Sequence, residues 1–210
     1  MSQNELLAQV AEKKIVPVVK LDRVEDAKPL CEALCAGGLP VAEITFRTDA
    51  AEESIRIAVK EFPEMLVGAG TVVNVEQAKR ALDAGAKFLV SPGFSSKVTE
   101  FAIDNNVLVF PGTCTPTEVM AAMEYGLKVV KFFPAKQYGG LDTIKALAAP
   151  FPSMKFMPTG GVNASNIQDF LAFDKIIACG GSWMVKDSFV KEGNFEEIRK
   201  LTAEAVSLVK

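Results

Sequence analysis

A chain of 210 residues with 49% hydrophobic and 23% charged side chains has the balance of a globular domain, not of a disordered or fibrous protein. Its net charge of -3 offers no basic field to nucleic acid or to an anionic membrane surface, and no apolar run approaches the ~20 residues of a membrane span. Histidine is absent, which excludes Ser-His-Asp triads, histidine bases and histidine-ligated metals, and the four cysteines form neither a CxxC pair nor a zinc spacing.

The start, MSQNELLAQV, lacks the basic and apolar regions of a secretory leader, and with free thiols a cytoplasmic location is expected. Residues 5–14 read as a short amphipathic helix with Leu6, Leu7 and Val10 on one side. A β-branched run, Ile15-Val16-Pro17-Val18-Val19, follows and ends at Lys20; residues 24–36 are helical and are stopped by Gly37-Gly38. The alternation then continues. Strands are predicted over 41–47, 65–69, 88–91, 107–110, 128–133, 155–158 and 176–179, and helices over 50–62, 75–84, 95–105, 116–125, 141–149, 165–173 and 195–209. Apolar strands that alternate with helices argue a parallel sheet covered by helices. Eight such units argue an α/β fold of the closed (β/α)8 TIM barrel type, with a short N-terminal helix and residues 1–210 as a single domain, over an open doubly wound sheet.

In such a barrel the chemistry collects at the C-terminal ends of the strands. The sixth predicted strand, within LKVVKFFP, carries Lys131 inside an apolar run, on the same side of the pleat as Val129 and Phe133. If that side faces a core, the ammonium must reach solvent, find a partner or lose its proton, and a neutral amine is a nucleophile toward ketones. The alternative places Lys131 at a strand end where it simply reaches water. Glu43, Thr45 and Arg47 alternate along the second strand and are expected on one side, at the barrel mouth. Charges converging there are costly without a ligand; the alternative is that Glu43 and Arg47 form an internal ion pair with Lys131 and do nothing else. Two double-glycine turns are expected after the last two strands, Thr159-Gly160-Gly161 and Gly180-Gly181-Ser182. Barrels often bind phosphate there through backbone N–H groups; plain turns are the alternative. Lys136, beyond Pro134, is expected in solvent.

The motifs Glu43-Ile44-Thr45-Phe46-Arg47-Thr48, Val67-Gly68-Ala69-Gly70-Thr71-Val72, Val90-Ser91-Pro92, Phe110-Pro111-Gly112, Lys131-Phe132-Phe133-Pro134, Pro158-Thr159-Gly160-Gly161 and Gly180-Gly181-Ser182-Trp183 run through nearly the whole chain. In order and spacing the chain resembles the 2-keto-3-deoxy-6-phosphogluconate (KDPG) aldolases, which also act as 4-hydroxy-2-oxoglutarate (KHG) aldolases. The resemblance implies a homotrimeric class I aldolase that needs no metal or other cofactor and cleaves KDPG to pyruvate and glyceraldehyde 3-phosphate. It implies Lys131 as the Schiff-base residue and Glu43 as the proton carrier. Arg47 and Thr71 would hold the substrate carboxylate, and Phe133 and Pro92 would form the wall beside the iminium. Thr159 would contact the substrate hydroxyls, and Gly160, Gly161, Gly181 and Ser182 would cradle the phosphate. Some members have arginine where this chain has Lys20, which keeps the charge but loses the fork. Within the same chemistry the runner-up substrates are KHG and the 6-phosphogalactonate epimer; a sugar-phosphate isomerase or epimerase, or a non-catalytic binding protein, would not need Lys131 as a nucleophile.

Overall fold

Helices alternate with apolar strands throughout the computed structural model, which describes residues 2–210. Helix α1 (Gln3–Lys13) begins at a reciprocal capping box between Ser2 and Glu5. It leads into β1 (Ile15–Val19), and a 3-10 turn, Val24–Asp26, opens α2 (Ala27–Ala36). Next come β2 (Val41–Thr45), α3 (Ala51–Glu61), β3 (Leu66–Gly70), α4 (Val75–Asp83) and β4 (Phe88–Val90). They are followed by α5 (Ser96–Asp104), β5 (Leu108–Phe110), β6 (Gly112–Thr113) and α6 (Pro116–Glu124), the last with Pro116 in its first turn and a Thr115–Glu118 capping box. Strand β7 (Val129–Phe132), α7 (Gly140–Ala148), β8 (Lys155–Pro158), α8 (Ile167–Leu171), β9 (Cys179–Gly181), α9 (Asp187–Lys191) and α10 (Phe195–Val209) complete the chain.

Every pairing between these strands is parallel, and the sheet is curled. Six strands form one ladder in the order β5-β4-β3-β2-β1-β9, and β6-β7-β8 form a second. Strands β5 and β6 are two halves of one run: Pro111 has no N–H to give, so pairing breaks there, while its carbonyl still accepts from the Lys131 N–H at 2.9 Å. At the other end of the second ladder, single bridges join Phe156 to Ile176 and Thr159 to Gly180.

The interior is filled by large side chains at matched levels. Glu43 lies level with Val18 and Gly68, and Gly68 with Phe88. The missing side chain at Gly68 is what admits the Phe88 ring, since a Cβ there would sit 2.2 Å from it. Phe88 meets Phe110 edge-on at 5.9 Å, and Phe88, Phe110, Phe132 and Phe156 are fully buried. Each such ring contributes about 1.5–3 kcal/mol by leaving water.

Several predicted boundaries move. Strand β2 stops at Thr45, before the predicted 47, because the chain turns: the Arg47 N–H donates to the Thr45 carbonyl at 2.8 Å. The last strand is Cys179–Gly181, later than the predicted 176–179, and Ile176 makes only an isolated bridge. Gly180-Gly181 is therefore strand and not a turn. These glycines serve close approach: a Cβ on Gly180 would lie 2.3 Å from Thr159 Oγ1, and one on Gly181 would lie 2.0 Å from the Trp183 ring. The turn reading holds at Gly160 and Gly161, whose φ values of 97° and 79° suit glycine. Helix α9 has no counterpart in the predicted elements.

Candidate active site

Lys131 sits in β7 with only 3% of its surface exposed, so the solvent-facing alternative is excluded. The two neighbouring strands hold it: it is level with Gly112 on β6 and Met157 on β8, and its carbonyl accepts from the Thr113 hydroxyl at 3.2 Å. Its Nζ lies 5.1 Å above the Phe133 ring, where the π face attracts a cation, and 3.4 Å from Glu43 Oε1. Glu43 is 1% exposed. Removing one partner from such a buried pair costs about 3–5 kcal/mol, because the other charge is left alone in a poor solvent. Room for the carboxylate comes from β3, since a Cβ on Gly70 would stand 2.2 Å from Glu43 Oε1.

Two polar atoms here lack a partner although buried, Glu43 Oε2 and Thr159 Oγ1. Each orphaned acceptor or hydroxyl costs about 1–3 kcal/mol, a penalty that a bound molecule with complementary groups relieves. Thr159 follows β8 directly and its N–H donates to the Phe132 carbonyl at 2.9 Å, which fixes it beside β7.

A cavity of about 160 Å³ lies at the C-terminal ends of β1, β2, β7, β8 and β9, with Thr159 in its lining; Lys131 and Glu43 are not among the residues that line it. Phe133 and Thr159 form one part of its lining, Arg47 and Lys20 supply cations, and Gly160, Gly161, Gly181 and Ser182 supply backbone and one hydroxyl. Arg47 is exposed and pairs with neither Glu43 nor Lys131; its Nε donates to Thr71 Oγ1 at 3.2 Å. Thr71 holds a φ of 55°, a left-handed backbone that is strained for a β-branched residue and places its hydroxyl toward the guanidinium. Lys20 is already engaged, 2.7 Å from Asp22 and 3.6 Å from Asp187, and the Asp22 hydrogen bond holds its pKa above the ordinary lysine value.

Two expected members differ. Thr45 does not serve the mouth: its buried hydroxyl donates to the Val19 carbonyl at 2.8 Å and ties β2 to β1. Pro92 is not among the residues lining the cavity; its carbonyl faces Gly112, where a Cβ would meet it at 2.2 Å. Lys136 is exposed as expected, with its stem laid against Gly161. Asp187 and Val162 line the cavity without having been anticipated. No motif surrounds Asp187, so its position followed only from where α9 begins. Among the described residues no group of three or more His, Cys, Asp or Glu side chains could hold a metal ion, and no helix is long and apolar enough to cross a membrane.

The thiols lie apart from this chemistry. Burial pushes Cys31 and Cys179 up to about 12 and Cys35 to about 11, which keeps them protonated and unreactive.

A curled parallel sheet that carries a buried amine beside a buried carboxylate, with two cations and glycine-rich backbone lining a cavity at the same strand ends, defines a protein equipped for carbonyl chemistry. The chain belongs to the KDPG and KHG aldolase family, whose model matches residues 6–201. It is 43% identical over 196 residues to the 2-dehydro-3-deoxy-phosphogluconate aldolase of Treponema pallidum, covering 93% of each chain. It is 42% identical over 192 residues to the KHG/KDPG aldolase of Escherichia coli K12, covering 91% of this chain and 90% of the other. Among solved structures it is similar to the KDPG aldolase of Legionella pneumophila with pyruvate captured at low pH as a covalent carbinolamine intermediate. There the TM-score is 0.91 at 35% identity, with 98% of both chains covered.

Proposed function

We propose that this chain is a class I aldolase that cleaves KDPG to pyruvate and D-glyceraldehyde 3-phosphate, and KHG to pyruvate and glyoxylate. The observation that carries the reading is the Lys131–Glu43 pair, an amine and a carboxylate 3.4 Å apart and both buried. In its neutral form Lys131 Nζ adds to the C2 ketone. The resulting carbinolamine takes a proton on its hydroxyl and loses water to give the protonated iminium. Glu43, directly or through a water, removes the proton of the C4 hydroxyl. The C3–C4 bond breaks, its electron pair flows through C3 into the iminium to form an enamine, and the aldehyde departs. A proton returned to C3 regenerates the iminium, and water releases pyruvate and the free amine.

We assign the remaining roles from the family resemblance, supported by position where the residues line the cavity. Arg47 and Thr71, already joined at 3.2 Å, hold the substrate carboxylate, for which a planar guanidinium offers two parallel donors. Phe133, whose ring already lies 5.1 Å from Lys131 Nζ, lies against the iminium. Thr159, with its unpartnered hydroxyl, contacts the substrate hydroxyls. Gly160, Gly161, Gly181 and Ser182 receive the phosphate, with Lys20 beside them.

We also take the two ladders as one closed (β/α)8 barrel, a single domain over residues 1–210. The bridges from Phe156 and Thr159 to the β9 side support this, as does the continuity of β5 and β6 through Pro111. A cytoplasmic homotrimer completes the reading. The test is pyruvate release from KDPG, followed by a coupled dehydrogenase. The wild-type chain should release pyruvate and glyceraldehyde 3-phosphate in equal amounts, and Lys131→Ala should lose at least about 1,000-fold in kcat with its circular dichroism retained. A folded Lys131→Ala protein that keeps most of its turnover would remove the Schiff-base assignment.

A further inference from the structure

We propose that Asp187 is a specificity-determining residue that weakens the hold of this site on the phosphorylated end of its substrate. The inference rests on the aldolase reading above. Asp187 begins α9 and lines the cavity together with Gly160, Gly161, Gly181 and Ser182. The groups fit to receive a phosphate therefore share their cavity with a carboxylate. Nothing in the cleavage chemistry calls for an acid at this place, since proton transfer falls to the buried Glu43.

The neighbouring charges sharpen the point. Lys20, the cation on this part of the lining, is shared between Asp22 at 2.7 Å and Asp187 at 3.6 Å, and Asp22 is in turn 3.4 Å from Lys191. Two lysines and two aspartates give this network no net charge. A phosphate dianion must then compete with two carboxylates for Lys20, and it enters against the Asp187 charge. Asp187 and Lys20 are 52% and 27% exposed, so water and salt damp the effect without removing it. KHG feels it less, because its far end is shorter and carries one negative charge where the phosphate carries nearly two.

The experiment compares wild type with Asp187→Asn, which keeps shape and removes the charge, on KDPG and KHG. The ratio of kcat/KM for KDPG to that for KHG should rise about three- to tenfold, through KM and not kcat, and KM for KDPG should become more sensitive to added salt. Asp187→Ser should move the ratio in the same direction. If Asp187 served only to start α9, both variants would lower thermal stability or shift both substrates alike. A ratio that is unchanged or falls, with wild type active on KDPG, overturns the proposal. A wild-type protein that cleaves neither substrate would instead defeat the aldolase reading.

Discussion

Lysine and glutamate are rarely buried alone, and here they are buried together beside a glycine whose only evident service is to leave them space. Gly70 has an ordinary backbone, so its requirement is steric: an added methyl would overlap Glu43 Oε1 at 2.2 Å and Cγ at 2.6 Å. Glu43 is 1% exposed and its Oε1 is held 3.4 Å from Lys131 Nζ, so the methyl would displace it from that contact. Gly70→Ala should therefore lower kcat by about 10- to 100-fold, the scale expected when a reacting group is displaced by roughly 1 Å, and should cost a few degrees in Tm. Steady-state kinetics beside a thermal melt would check it, and full kcat in the variant would mean that Glu43 is not where the chemistry happens. The residues that carry an anomaly of charge were legible in the sequence: Lys131 stands in an apolar run, and Glu43 in a strand with apolar neighbours. What they require of other strands was not. That Gly70 makes room for Glu43, or that Gly180 makes room for Thr159, depends on which strands lie side by side and at what level.

At the scale of elements, the alternation of strand and helix was legible because apolar runs and helix-stopping glycines are local signals, while the capping residues that start the helices emerge from the structure. Ser2, Asn74, Ser95 and Thr115 each accept from a backbone N–H at the start of their helices. Strand ends were less so, since they depend on hydrogen-bond partners. Period-two reasoning put Thr45 and Arg47 on one face, but the strand ends between them: Thr45 is spent on the Val19 carbonyl, and Arg47 reaches the cavity from a turn. Likewise, Gly180-Gly181 has the composition of a turn but is held in β9 by pairing with Val16 and Pro17. A glycine pair tells of backbone freedom or of lost bulk, and only the neighbours decide which. Helix α9 was invisible because five residues carry too short a pattern, and with it went the position of Asp187.

For the whole molecule, the count of eight strand–helix units led to the parallel curled sheet, although the arrangement divides it into ladders of six and three strands. Assembly is a different matter, since subunit contacts leave little local mark in a sequence. Among the described residues, large apolar side chains exposed on the surface include Ile103 on α5 and Met120 and Met123 on α6, groups of the kind that the trimer proposed above would bury. Multi-angle light scattering should give a mass three times that of the chain; a monomer at micromolar concentration would contradict it. The central claim, that a buried amine on β7 forms a covalent bond with the substrate ketone, is tested most directly by borohydride reduction in the presence and absence of pyruvate. Intact and peptide mass spectrometry would then locate any adduct. A pyruvate-dependent adduct is expected on the peptide carrying Lys131. Folded protein left unmodified in excess pyruvate, or modified on another lysine, would contradict the claim.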